Sequence, residues 1–128
     1  MRENVYDIVR QKYVALTPEE YVRQMVIDYL INNLSYPRSS FRVERQLQVN
    51  DYSRPDIVVY DSSCEPYMVV ECKSAGTKIS YDTICQLVRY NRVLKANYVM
   101  ITNGTTTHCW KFENDRYVIS VIPKFGSS

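Results

Sequence analysis

Three short runs, residues 41–49, 55–60 and 67–73, separated by turn-forming clusters, limit the fold of this chain more than any other feature. In the first, Phe41, Val43, Arg45, Leu47 and Val49 alternate with Arg42, Glu44, Gln46 and Gln48, the period of two expected of a half-buried strand. Asn50-Asp51-Tyr52-Ser53 turns the chain, the run from Pro55 to Tyr60 is apolar after Asp56, and residues 61–66 turn it again before Tyr67 to Lys73. Two successive hairpins predict an antiparallel meander. Pro55 has no amide proton to give a ladder and belongs at a strand start or edge.

Helical segments flank the meander. Thr17-Pro18-Glu19-Glu20 predicts a helix start: Thr17 caps, Pro18 suits the first turn, and Glu20 stands at the capping-box position. Val22, Met25, Val26, Tyr29 and Leu30 then recur at helical spacing, and Asn32-Asn33 with Ser35-Tyr36-Pro37 ends the helix near residue 34. Ser80 precedes a second helix over about 81–95, with Ile84, Leu87, Val88 and Leu94 on its apolar face. Tyr98 to Thr102 reads as a strand, Asn103-Gly104 as a turn, and 107–113 with 116–122 as a final hairpin. Residues 1–16 have no firm period and read as a short helix or extended lead-in. The expected order is α-β-β-β-α-β-β-β.

A length of 128 residues, 45% of them hydrophobic, suits a single domain spanning 1–128. No apolar run approaches the roughly 20 residues that cross a bilayer, and the N-terminal residues lack the pattern of a signal peptide. A cytoplasmic protein without membrane contact is therefore expected. The four cysteines form no C-x-x-C pair and read as reduced and structural. A net charge of +2 permits nucleic-acid contact without demanding it. None of the three glycines precedes a Lys-Ser/Thr pair at the P-loop spacing, so no ATP motor of that type is present.

Residues two apart on a strand share a face, so Glu71 and Lys73 project together while Val70 and Cys72 turn away. If 56–61 pairs with 67–73, Asp56 comes to the same end of the sheet. Asp56, Glu71 and the backbone carbonyl of Cys72 then form a hard oxygen site suited to Mg²⁺ or Mn²⁺, with Lys73 placed to serve an attacking water. Taken alone, an acid near a strand start and an E-x-K at a strand end also fit a solvated face. Glu20 is explained by capping, with a place near the site as the alternative. Glu44 faces either the site or solvent. His108, the only histidine, is read as structural, and Arg89, Arg92 and Lys95 as a solvated helix face.

Arg54-Pro55-Asp56, followed after fourteen residues by Glu71-Cys72-Lys73, resembles the PD-(D/E)xK nuclease signature. With it stand Thr17-Pro18-Glu19-Glu20-x-x-Arg23-Gln24, Glu44, Gln86-x-x-x-Tyr90 and Thr102-Asn103-Gly104. Together these resemble the N-terminal nuclease domain of type I restriction endonuclease R subunits over about residues 17–113. The resemblance implies a restriction-endonuclease-like α/β fold with an α-β-β-β-α-β core, a mixed sheet flanked by helices and a C-terminal β-hairpin. It implies Asp56 and Glu71 as metal ligands, Lys73 as the catalytic amine, and Gln86 and Tyr90 as the Q-x-x-x-Y element shared with RecB-like nucleases. Gln86 and Tyr90 stand four apart, on one helix face. The expected activity is Mg²⁺-dependent (or Mn²⁺-dependent) hydrolysis of DNA phosphodiesters within restriction-modification. The domain would act as a homodimer or beside separate motor and specificity subunits; the alternative is a weakly catalytic nucleic-acid-binding or assembly module that keeps the fold.

Overall fold

The computed structural model describes residues 3–43 and 55–126. Strands β1 (Asn4–Asp7) and β2 (Lys12–Ala15) form a hairpin ahead of helix α1 (Pro18–Leu34). After a short 3₁₀ turn come β3 (Phe41–Val43), β4 (Ile57–Tyr60), β5 (Pro66–Cys72), helix α2 (Tyr81–Leu94), β6 (Tyr98–Thr102), β7 (Thr107–Glu113) and β8 (Arg116–Ile119). The last six strands make one sheet in sequence order, antiparallel throughout except where β5 meets β6. That parallel pair is joined by α2, the crossover that parallel strands require. The architecture is α/β, a mixed sheet with a helix on each face and a closing β-hairpin.

Strand alternation divides the core. Ile57, Val59, Met68, Val70 and Met100 face α1 and its Val22, Val26, Ile27 and Leu30. Val58, Val69, Val99 and Ile101 face α2 through Leu87, Ile84 and Leu94. The central strand β5 is buried on both faces from Tyr67 to Cys72, which accounts for its unbroken apolar run before Glu71. Both helices start where capping chemistry puts them. Thr17 Oγ1 accepts from the Glu20 amide at 3.1 Å, with Pro18 in the first turn, and Ser80 Oγ accepts from the Thr83 amide at 3.2 Å.

The structure departs from the sequence reading at four places. Residues 4–15, within a stretch expected as a short helix or extended lead-in, are extended and pair as a hairpin in which Tyr6 stands opposite Tyr13 with ring centroids 5.2 Å apart. Its turn, Ile8-Val9-Arg10-Gln11, holds no glycine, asparagine or proline, so the usual hairpin signal is missing. The element order consequently gains two strands ahead of α1. On α1 the buried stripe is Val22, Val26, Ile27 and Leu30, whereas Met25 and Tyr29 are 43% and 45% exposed. These two lie at the stripe's edge and line a groove of about 250 Å³ against Met100, Gly104 and Thr107. Finally, β8 ends at Ile119 rather than 122. The continuation of the first strand over 44–49, with Glu44 and Arg45, and the turn before Arg54 lie outside the described residues.

An aromatic cluster fastens the C-terminal segment. Tyr36 packs on Phe125 at 5.3 Å between ring centroids, Tyr67 packs on both, and Tyr36 Oη donates to the Pro123 carbonyl at 2.8 Å. The Phe125 amide donates to the Leu34 carbonyl at 3.1 Å, tying the chain end to the end of α1. Because Tyr36 is buried, removing its hydroxyl strands an acceptor. Tyr36→Phe is expected to cost about 1–3 kcal/mol in urea unfolding with an unchanged slope.

Candidate active site

Asp56 sits in the bend entering β4, and the register of that strand on β5 decides what it meets. Ile57 stands opposite Val70 in an antiparallel pair, so one step back brings Asp56 opposite Glu71. Both carboxyls are buried, at 0% and 7% exposure. A Glu on a solvated strand face would be open to water, so burial excludes the surface-charge reading of Glu71. Asp56 is held at both oxygens: Oδ2 accepts from the Cys72 amide at 2.7 Å and Oδ1 from Arg23 Nη2 at 2.7 Å. Glu71 Oε1, in contrast, is buried without a hydrogen-bond partner among the described residues.

The electrostatics follow from that asymmetry. Burial opposes ionisation of Asp56, but hydrogen bonds from Glu71, Arg23 and the Cys72 amide outweigh it and hold its carboxyl below the usual range. Glu71 has no such help: burial and the neighbouring Asp56 push its carboxyl up to about 9, with Lys73 opposing. Two carboxyls this close share one proton, and Glu71 carries it. Lys73 follows at the strand's end, where its amide donates to the Thr102 carbonyl at 2.8 Å and prolongs the β5–β6 pairing. Glu19 also reaches this group. Burial and then Asp56 raise its carboxyl, while Arg23 and Lys73 pull it down.

Glu20 stands one layer away from the pair. Its Oε1 accepts from Arg10 Nη2 at 2.7 Å and from Arg23 Nη1 at 2.6 Å, and its Oε2 from Gln24 at 2.9 Å. The capping box is half formed, because Thr17 caps the Glu20 amide while the Glu20 side chain is spent on the two arginines. Gln86 and Tyr90 ride on α2, the helix covering the face that carries Val69 and Glu71; Gln86 is exposed and Tyr90 half-buried. The Thr102-Asn103-Gly104 turn closes the same end of the sheet. Asn103 Oδ1 accepts from the amides of Thr105 and Thr106, and its Nδ2 donates to the Thr77 carbonyl at 2.9 Å, tying the loop after β6 to the loop after β5. Gly104 takes φ +89°, a left-handed conformation that favours glycine. Sequence reading quoted Glu19 and Arg23 within the family motif but gave them no role at the pair, and it missed Arg10. Arg23 had a signal in its spacing of three from Glu20, whereas nothing local marked Arg10.

The donors meeting at the pair are oxygens, and among the described residues no group of three or more His, Cys, Asp or Glu side chains forms a complete metal cage. Two carboxylates suffice for a hard divalent ion that keeps waters, and the buried, unpartnered Glu71 Oε1 is the kind of atom such an ion satisfies. The raised Glu71 carboxyl carries a pH signature. Below pH 4.5 it is protonated whether the chain is folded or not; between 4.5 and about 9 the unfolded chain releases the proton and the folded one keeps it. Without metal, stability should therefore fall as pH rises through that window. Thermal unfolding in EDTA from pH 5 to 8.5 should show the decline in the wild type and a shallower one in Glu71→Gln.

The sequence model of the family described as "Type I restriction enzyme R protein N terminus" matches residues 18–125. A comparison with curated protein sequences found no significant match. Among solved structures, the type IIG restriction endonuclease BpuSI is similar at 15% identity and a TM-score of 0.43, over 84% of this chain and 12% of that one. The chain thus spans about an eighth of that enzyme. With the family match running from α1 past β8, across Asp56, Glu71 and Lys73, this chain belongs to the family of type I restriction enzyme R protein N-terminal domains and is a nuclease-type domain.

Proposed function

We propose that the domain hydrolyses DNA phosphodiester bonds at a site built on Asp56, Glu71 and Lys73, with Mg²⁺ or Mn²⁺ held by the two carboxylates and the Cys72 carbonyl. The observation that carries this reading is the buried Asp56–Glu71 pair, one of whose oxygens lacks a partner among the described residues, with Lys73 on the next residue of the same face. A divalent ion there would supply Lewis acidity and charge neutralisation. The chain's own residues account for the rest. Asp56, pinned through both oxygens, offers a fixed carboxylate. Glu71, neutral in the absence of metal, would bind such an ion as the carboxylate, its proton released to solvent. Lys73 orients the attacking water and offsets charge on the phosphoryl oxygens; the water loses a proton to solvent as its oxygen bonds phosphorus, the ester bond breaks, and the departing oxygen takes a proton from solvent.

Gln86 and Tyr90, on the helix packed over the face of Glu71, are proposed to hold the DNA strand beside the pair. Cutting both strands of a duplex needs two such sites, which a homodimer or separate motor and specificity subunits would provide. No helix among the described residues is long and apolar enough to cross a membrane.

The test is incubation with supercoiled plasmid and single-stranded DNA in Mg²⁺, Mn²⁺ or EDTA. Metal-dependent nicking should appear and fall at least about 100-fold in Lys73→Ala. DNA binding without metal-dependent nicking would instead establish the weakly catalytic binding or assembly module.

A further inference from the structure

Residues 3–16 precede the stretch matched by the family, yet they are built into the site. The β1–β2 hairpin forms its own two-stranded sheet, separate from the six-stranded one. Val9 packs against the α1-side core. Within the turn, the fully buried Asp7 accepts from the Val9 amide at 2.8 Å and from Arg10 Nε. Arg10 reaches on to Glu20 Oε1 at 2.7 Å; Arg23 holds the same Glu20 oxygen at 2.6 Å and Asp56 Oδ1 at 2.7 Å. Asp7, Arg10, Glu20, Arg23 and Asp56 thus form one unbroken line of alternating charges from the hairpin to the carboxylate pair.

We infer that Arg10 is a positioning residue for the divalent-cation site: through Glu20 and Arg23 it fixes the Asp56 carboxylate, so the N-terminal hairpin sets cation affinity. This rests on the metal-site reading above. The side chains of Asp7, Glu20, Arg23 and Asp56 are almost wholly buried, and buried ion pairs return little stability for their desolvation. What the chain does supply is orientation. Glu20 Oε1 is shared between two guanidinium groups and its Oε2 is occupied by Gln24, so neither Glu20 nor Arg23 is free to turn while Arg10 is in place. Without Arg10, Arg23 gains sole use of Glu20 Oε1 and its fork is drawn from Asp56. Outer partners that orient a metal ligand typically contribute about 10- to 100-fold to metal affinity.

Charge alone acts in the opposite direction. Deleting a cation beside a carboxylate cluster strengthens cation binding, whereas loss of positioning weakens it, so the sign of the change separates the two. Mn²⁺ binding to the full chain, measured by titration calorimetry without DNA, should weaken about tenfold in Arg10→Gln. Arg10→Lys keeps the charge but cannot bridge Asp7 and Glu20 with a planar fork, and should weaken binding by a smaller factor; it also serves if Arg10→Gln fails to fold in thermal unfolding. Tighter or unchanged Mn²⁺ binding in a folded Arg10 variant overturns the positioning role and leaves the metal site standing. Absence of Mn²⁺ binding in the wild type overturns both, and Asp56→Asn, expected to abolish binding, identifies the site being read.

Discussion

Two carboxyls buried side by side repel each other, and the arrangement around Asp56 and Glu71 answers that repulsion. Ionising both in a low-dielectric setting without compensation would cost far more than one strand pairing returns. The protein divides the problem. Asp56 is kept ionised by a guanidinium on one oxygen and a backbone amide on the other, and Glu71 is kept neutral by a proton shared toward Asp56. The pair thereby holds one proton and one negative charge between two carboxyls.

The sheet makes such a pair possible. β5 is hydrogen-bonded to β4 on one side and β6 on the other and is covered by a helix on each face, so residues at its end are held as firmly as the core. The step from Val70 to Cys72 carries the chain from packing to chemistry in three residues: Val70 and Cys72 point into the α1-side core, and Glu71 between them points the other way. Because β6 runs parallel to β5, its own end and the Asn103 turn close over the same edge. The hydrogen bond of Asn103 to Thr77 then fixes the two loops against one another.

The helices contribute unequally. From α1 come Glu19, Glu20 and Arg23, three consecutive points of charge on the helix's first turns, brought to the pair because that end of α1 lies over the site end of the sheet. From α2 comes an apolar anchor, Leu87, flanked by Gln86 and near Tyr90. The first helix shapes the electrostatics of the acids, while the second packs over their face of the sheet.

Local order was legible in the residues themselves. Both helices, the meander and the strand at 98–102 follow from periodicity and capping, because these depend on neighbours within a few residues, and motif spacing singled out Asp56, Glu71 and Lys73 as candidates. The N-terminal hairpin was not legible, since residues 8–11 hold no glycine, asparagine or proline and the turn rests on the single buried Asp7, whose side chain accepts from the Val9 amide. Nor was the burial of Glu71: a charge next to an apolar run reads as a strand leaving the core, and only the flanking strands and helices close over it. The bonds from Arg10 to Glu20 and from Arg23 to Asp56 span 10 and 33 residues. Sequence alone singled out the candidate acids and amine; tertiary structure decided which of them carries a proton, which is pinned, and which distant arginines hold them, because desolvation and ion pairing depend on what packs nearby in space rather than along the chain.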